Sequence, residues 1–318
     1  MSIKVEHIDN FLELGKAVKL SNNKYELIIT LDVGPRIIHF SLLNGENVFE
    51  QDVALSEELP DGTVMRLYGG HRVWHAPEAY PRSYISDSHP VEKYELTESG
   101  IIVTAKKEKW TNMQKQTSVK LLDTHVEVTS MIKNAGAWPI EYAVWSLMVG
   151  SRGGRLICPI TQRNTGLLPN TVLCSWPYSK MNDERVYWGG RYIVVDNNDT
   201  TPGVFKFGYG NELGWTAYFN KGVCFVNQYD HQIGAKYPDM GCSFETYTAD
   251  WGIEIETLSP LKTVQPDETY ELVNRWYIIG DVDRPSWDED EIDEIMGRIS
   301  EEVPITIPYE AHNVWSPT

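Results

Sequence analysis

The stretch WGIEIETLSPL (Trp251–Leu261) alternates apolar or small side chains at Ile253, Ile255 and Thr257 with carboxylates at Glu254 and Glu256. A period of two is that of a β-strand, which sends successive side chains to opposite faces. One face of this strand is therefore apolar, and the other holds two glutamates. The same alternation recurs in KYELIITL (24–31), GIIVTAKK (100–107), HVEVTSMI (125–132) and GVFKFGYG (203–210). Between these segments stand turn-forming clusters such as NAGAWP (134–139) and NNDTTPG (197–203). The pattern predicts an all-β chain of antiparallel sheets rather than βαβ units.

One segment breaks the rule. SWDEDEIDEIMGRISEEV (286–303) carries Ile292, Ile295, Met296 and Ile299 at helical spacing, and its first turn is acidic. Ser286 with Glu289 reads as a capping box after Pro285. The segment is expected to be a C-terminal helix clasped onto the sheets, with its acid run as a solvated face. Strands spread from end to end and no composition break predict one β-sandwich domain over 1–318.

Composition narrows the partners. Lys and Arg number 28 against 45 Asp and Glu, a formal net charge of -17, which repels nucleic-acid phosphates and anionic lipid. Neither nucleic acid nor a membrane is expected as a partner. No apolar run reaches the ~18 residues of a membrane span, and the opening MSIKVEHIDNFLELG has charges where a secretion signal would be apolar. A cytoplasmic location is expected. Cys158, Cys174, Cys224 and Cys242 are scattered without metal-ligand spacing and read as reduced thiols. Eleven Trp and 17 Tyr against 8 Phe favour rings with a polar edge, which suit sugar stacking and also fill β cores.

Candidate chemistry gathers in GGHRVWHAPE (69–78). On a helix, His71 and His75 would share a face and suit zinc. Gly69-Gly70 before them and Pro77 after them predict extended chain, which puts them ~13 Å apart. No metal and no cofactor are therefore expected, and a structural role for either histidine stays open. The planar fork of Arg72 can pin a polyhydroxylated or anionic ligand, or pair with Glu78 or another acid. Trp74 is a candidate stacking platform. Glu245, in CSFETYT (242–248), falls on the strand before Glu254 and Glu256. Tyr80, Arg82 and Tyr84 extend a pocket wall or fold a loop, and Asp230-His231 offers an acid beside a base.

The order of GGHRVWHAPE, then GIEIETLSPL, then VQPDETYEL leading into NRWYII resembles the galactose mutarotase-like, or aldose 1-epimerase, superfamily, in a bacterial branch of unestablished activity. The resemblance implies a β-supersandwich of large antiparallel sheets with a shallow sugar cleft. It implies that Glu256, in IETL, matches the catalytic base of a late Leu-Glu-Thr-Gln strand. It also implies that His71 or His75 matches the first-quarter histidine and that Arg72 reaches the sugar hydroxyls. The family's second histidine is missing: YAVWSLMVG (142–150) has Trp145 in the comparable strand. The substrate-holding aspartate has no counterpart.

The leading expectation is thus a carbohydrate-binding protein that interconverts sugar anomers. Glu256 is the expected base and His75 or His71 the acid, with Arg72, Trp74, Glu78, Glu254, Glu245 and Trp145 around the substrate. The alternatives are a non-catalytic sugar-recognition module or sensor and a lyase or hydrolase on acidic saccharides using Glu254 with Glu256. All three require Glu256 and at least one of His71, Arg72 and His75 to line one cleft.

Overall fold

Every segment of period two becomes a strand in the computed structural model, which describes residues 3–308. Labels follow chain order. The larger sheet runs through β1 (Lys4–Ile8), β2 (Ala17–Ser21), β3 (Tyr25–Thr30), β4 (Arg36–Leu42), β7 (Gly70–Ala76), β12 (Ile140–Gly150), β21 (Gly252–Leu258), β20 (Phe244–Ala249), β17 (Phe205–Tyr209) and β14 (Leu173–Ser175). A short strand, β22 (Lys262–Val264), extends it alongside β12. The second sheet runs through β15 (Val186–Trp188), β16 (Tyr192–Asp196), β13 (Arg155–Pro159), β18 (Trp215–Asn220), β19 (Val223–Tyr229), β23 (Thr269–Gly280), β11 (Val126–Asn134), β10 (Met113–Leu121), β9 (Gly100–Thr104) and β8 (Lys93–Thr97). A hairpin of β5 (Val53–Glu58) and β6 (Val64–Tyr68) stands apart. The central pairings are antiparallel, as the turn-rich connections predict.

The sheets pack face to face over a core in which alternation delivers every second side chain. From the larger sheet come Ile253, Ile255, Phe205, Phe207 and Met148; from the second come Val128, Phe225, Trp276 and Ile278. Phe40, Phe49, Phe225 and Trp276 lie with ring centroids 5.3 to 6.3 Å apart. The outer face of the larger sheet is apolar only in part. The hairpin covers Trp74, Trp145, Leu147 and Leu258 there with Leu59 and Met65.

The C-terminal helix α1 spans Glu289–Ile299, shorter than the expected 286–303. It covers the outer face of the second sheet, where Ile292, Ile295, Met296 and Ile299 bury against Ile157, Val194, Trp215 and Val226. Burial of each such side chain contributes about 1.5–3 kcal/mol. The cap differs from the expected Ser286: Asp288 accepts from the backbone N–H groups of Asp290 and Glu291, and Ser286 instead donates to Glu291. Nor is the acid run simply solvated. Glu289 accepts the backbone N–H groups of Arg191 and Tyr192, while the Arg191 guanidinium pairs with Asp290 and Asp293.

Asp288→Ala is expected to cost about 1 kcal/mol, because it frees two helix N–H groups, whereas Ser286→Ala costs less. Denaturant titration of the two variants checks the assignment of the cap.

Candidate functional site

The paired glycines of GGHRVWHAPE are backbone devices. A Cβ on Gly69 would sit 2.1 Å from the Glu50 carbonyl oxygen and one on Gly70 2.4 Å from that of Ile37, and both residues have positive φ. They let β7 enter the sheet between β4 and the 48–50 segment. Once β7 is extended, alternation splits the motif: His71, Val73 and His75 face the core, and Arg72 and Trp74 face outward.

The two histidines therefore do not meet Glu256. His71 is fully buried, its Nε2 within 3.2 Å of Ser130 Oγ and 3.0 Å of Ser146 Oγ, and its ring meets the edge of Trp276 at 5.4 Å. Burial, with Arg36 and Arg72 nearby, pushes its imidazole down to about 3. His75 is likewise pushed to about 3 by burial and then by Lys115 and Arg82. Both are neutral at physiological pH and lie across the sheet from the glutamates, so neither presents an imidazolium beside Glu256. This corrects the expected acid partner. Among the described residues, no group of three or more His, Cys, Asp or Glu is arranged to hold a metal ion.

Arg72 does reach the glutamates. Its Nη2 donates to Glu254 Oε1 at 2.7 Å, although 182 residues separate the two. Pairing in register sets Arg72 beside Leu147, Leu147 beside Glu256, and Glu256 beside Glu245, so one row crosses four strands. The next row holds Trp74 and Trp145, with ring centroids 5.5 Å apart. Trp145 occupies the position that lacks a histidine, and its Nε1 donates to Glu256 Oε2 at 2.9 Å. The platform expected of Trp74 is already covered, since the Arg72 guanidinium lies 4.5 Å from its ring and Tyr84 packs against it.

A cation absent from the expected set completes the cluster. Lys206, on β17, places Nζ 2.7 Å from Glu245 Oε2 and 3.1 Å from Glu256 Oε2, over the rings of Trp145 and Trp176. Alternation in GVFKFGYG marked Lys206 as opposite in face to Phe205 and Phe207, and that was its only signal. Burial pushes the Glu245 carboxyl up to about 8 and that of Glu256 up to about 7, although Lys206 opposes both shifts. Glu256 is wholly buried, and Glu254 is the most exposed of the three glutamates at 8%.

The rim above is aromatic. Tyr178, 46% exposed, meets Tyr247, which stacks on Trp251 at 5.7 Å. None of the three stood among the expected site residues. Glu78 is exposed and accepts from Tyr84, close enough to act electrostatically on Lys206 and Glu256. Asp230 and His231 are engaged elsewhere, the first with Arg275 and the second with Ser243 and Tyr237.

No protein-family model matches the sequence, and no curated protein matches it. Solved structures do match the fold. A Klebsiella pneumoniae protein assigned provisionally as an aldose 1-epimerase is 12% identical at a TM-score of 0.58, over 99% of this chain and 92% of that one. A galactose mutarotase-like protein from Lactobacillus casei is 8% identical at a TM-score of 0.54, over 83% of this chain and all of that one. A TPR-domain-containing protein from Parabacteroides distasonis is 13% identical at a TM-score of 0.52; the alignment covers 84% of this chain and 47% of that longer protein. The fold is thus the antiparallel β-sandwich of galactose mutarotase-like proteins.

Two outcomes follow from the buried carboxylates. Their folded pKa values stand above the ordinary carboxylate value of about 4.5, so the folded state binds more protons than the unfolded state between about pH 4.5 and 8. The stabilisation is complete below that window and is lost as pH rises through about 7 to 8. Glu256→Gln should flatten this fall in denaturation midpoints measured from about pH 5 to about pH 8. Lys206→Met should lower stability most above about pH 8, where both carboxylates are ionised and lose their cation, and least at about pH 5, where both are protonated.

Proposed function

We propose that this protein binds a saccharide on the outer face of the larger sheet, over the row from Arg72 to Glu245. One observation carries the reading. Arg72 Nε and Nη1, Glu256 Oε1 and Glu245 Oε1 are buried in that row without a hydrogen-bond partner in the protein. Unpaired donors and acceptors of this kind each cost about 1–3 kcal/mol, more when charged. A polyhydroxylated ligand both donates and accepts, and answers both sets once the side chains over the row move aside. Tyr178, Tyr247 and Trp251 supply the ring faces on which the apolar side of a sugar stacks. The mutarotase-like fold supports the same ligand class.

Recognition without turnover is the leading form of this reading. Glu256 has no accessible surface, Lys206 occupies its carboxylate, and neither histidine shares its face. The near-neutral Glu245–Glu256 pair favours a second form, anomer interconversion. In that reaction the Glu256 carboxylate takes the proton of the C1 hydroxyl and protonated Glu245 gives one to the ring oxygen; the ring opens, turns about C1–C2 and recloses.

Calorimetric titration with a panel of aldoses is expected to give saturable binding, weakened about tenfold or more by Arg72→Met. Polarimetry on freshly dissolved sugars separates the two forms. Recognition alone gives no rate above buffer, whereas interconversion gives a rate that Glu256→Gln abolishes. A protein that binds no sugar in the panel overturns both.

A further inference from the structure

The larger sheet opens beside β7. Strand β4 pairs with β7 only through Ile37 and His71, whereas β12 follows β7 from Gly70 to Ala76. From Val73 onward that edge of β7 has no strand partner among the described residues, and the 85–89 and 105–110 loops stand over the gap. A cleft of about 760 Å³ results, reaching from Val73 on the larger sheet to Lys115 on the second and touching the saccharide row's surroundings only at Trp74. Its size is that of sites for drug-sized molecules, about 300–1,000 Å³.

The lining combines an apolar floor with a cationic wall. Val73, Trp74 and Ile85 contribute carbon surface, and Trp110, 59% exposed, stands at the mouth. The stretch AKKEKW (105–110) brings Lys106, Lys107 and Lys109, all exposed and without an ion pair among the described residues. The acids of the lining are largely committed. Glu108 pairs with Lys115 at 2.7 Å, Asp87 with Arg36 at 2.8 Å, and Asp61 accepts from Thr63. Three uncommitted lysines thus face one cleft on a chain of formal net charge -17. Deep beside this region, both ring nitrogens of His75 are buried without a partner.

We propose that this cleft is a second ligand site, taking an organic anion: an apolar or aromatic ring system that carries a carboxylate, sulfonate or phosphate. The rings lie against Val73, Ile85 and Trp110, and the anionic group meets Lys106, Lys107 and Lys109. Attraction between opposite charges at an accessible site is screened by salt, so affinity falls as ionic strength rises.

Anilinonaphthalene sulfonate, which has this chemistry and fluoresces when bound, is the probe. Its titration is expected to show one saturable site that weakens with added salt and weakens about tenfold in a Lys106→Gln, Lys107→Gln, Lys109→Gln variant. The melting temperature of that variant should match the parent, since the lysines are exposed and unpaired. Neutral phenylnaphthylamine, with the same rings and no sulfonate, should bind more weakly to the parent chain and equally to both proteins. The proposal is overturned if no saturable site is found, if the triple variant keeps the parental affinity, or if the neutral probe binds the parent chain as well as the sulfonate does.

Discussion

Alternation along β7, β12 and β21, locked in register at the middle of the larger sheet, is the constraint on which the rest depends. Each residue of these strands faces either the core or the outer surface, and a shift of one position would exchange the two sets. The register that buries Ile253, Ile255 and Met148 beneath the second sheet is the same one that turns Glu254, Glu256, Arg72 and Trp145 outward. Core packing therefore dictates the membership of the outer cluster. It also dictates that His71 and His75 belong to the core, where Ser130 and Ser146 engage Nε2 of the first.

The outer cluster is costly to keep. Five charged side chains, Arg72, Lys206, Glu245, Glu254 and Glu256, lie at 8% exposure or less, and apolar residues of like size often serve stability as well or better. The arrangement limits that cost. Lys206 spans two carboxylates and lies over two indole rings, and Arg72 joins Glu254 while lying over Trp74. Each cation is thereby held by a charge and a π face together, the combination that best offsets lost hydration. What stays unsatisfied is confined to a few donors and acceptors on Arg72, Glu245 and Glu256.

The cleft and the row from Arg72 to Glu245 both border β7, the cleft at its open edge and the row on its outer face. Trp74 lies on the outer face and Val73 on the inner, so β7 borders both. Early divergence of β4 from β7 creates the cleft, while close pairing of β7 with β12 on its other edge builds the row. Unequal pairing of a single strand thus accounts for two differently charged surfaces.

The all-β class, the strands that carry the alternation and the apolar stripe of α1 were legible in the sequence, because side-chain periodicity is a local property and burial only has to agree with it. The shared face of Glu254 and Glu256 was legible for the same reason. The contact of Arg72 with Glu254 was not, since it joins positions 182 residues apart through strand order, which no local pattern encodes. Lys206 was hidden too: a lysine in an alternating strand reads as a solvated residue, and only packing beside Trp145, Trp176 and two glutamates makes it the buried centre of a site. The histidines of GGHRVWHAPE show the converse. Their chemistry suggests a function, but extension of β7 assigns them by parity to the core, and burial there removes the proton that the function would use.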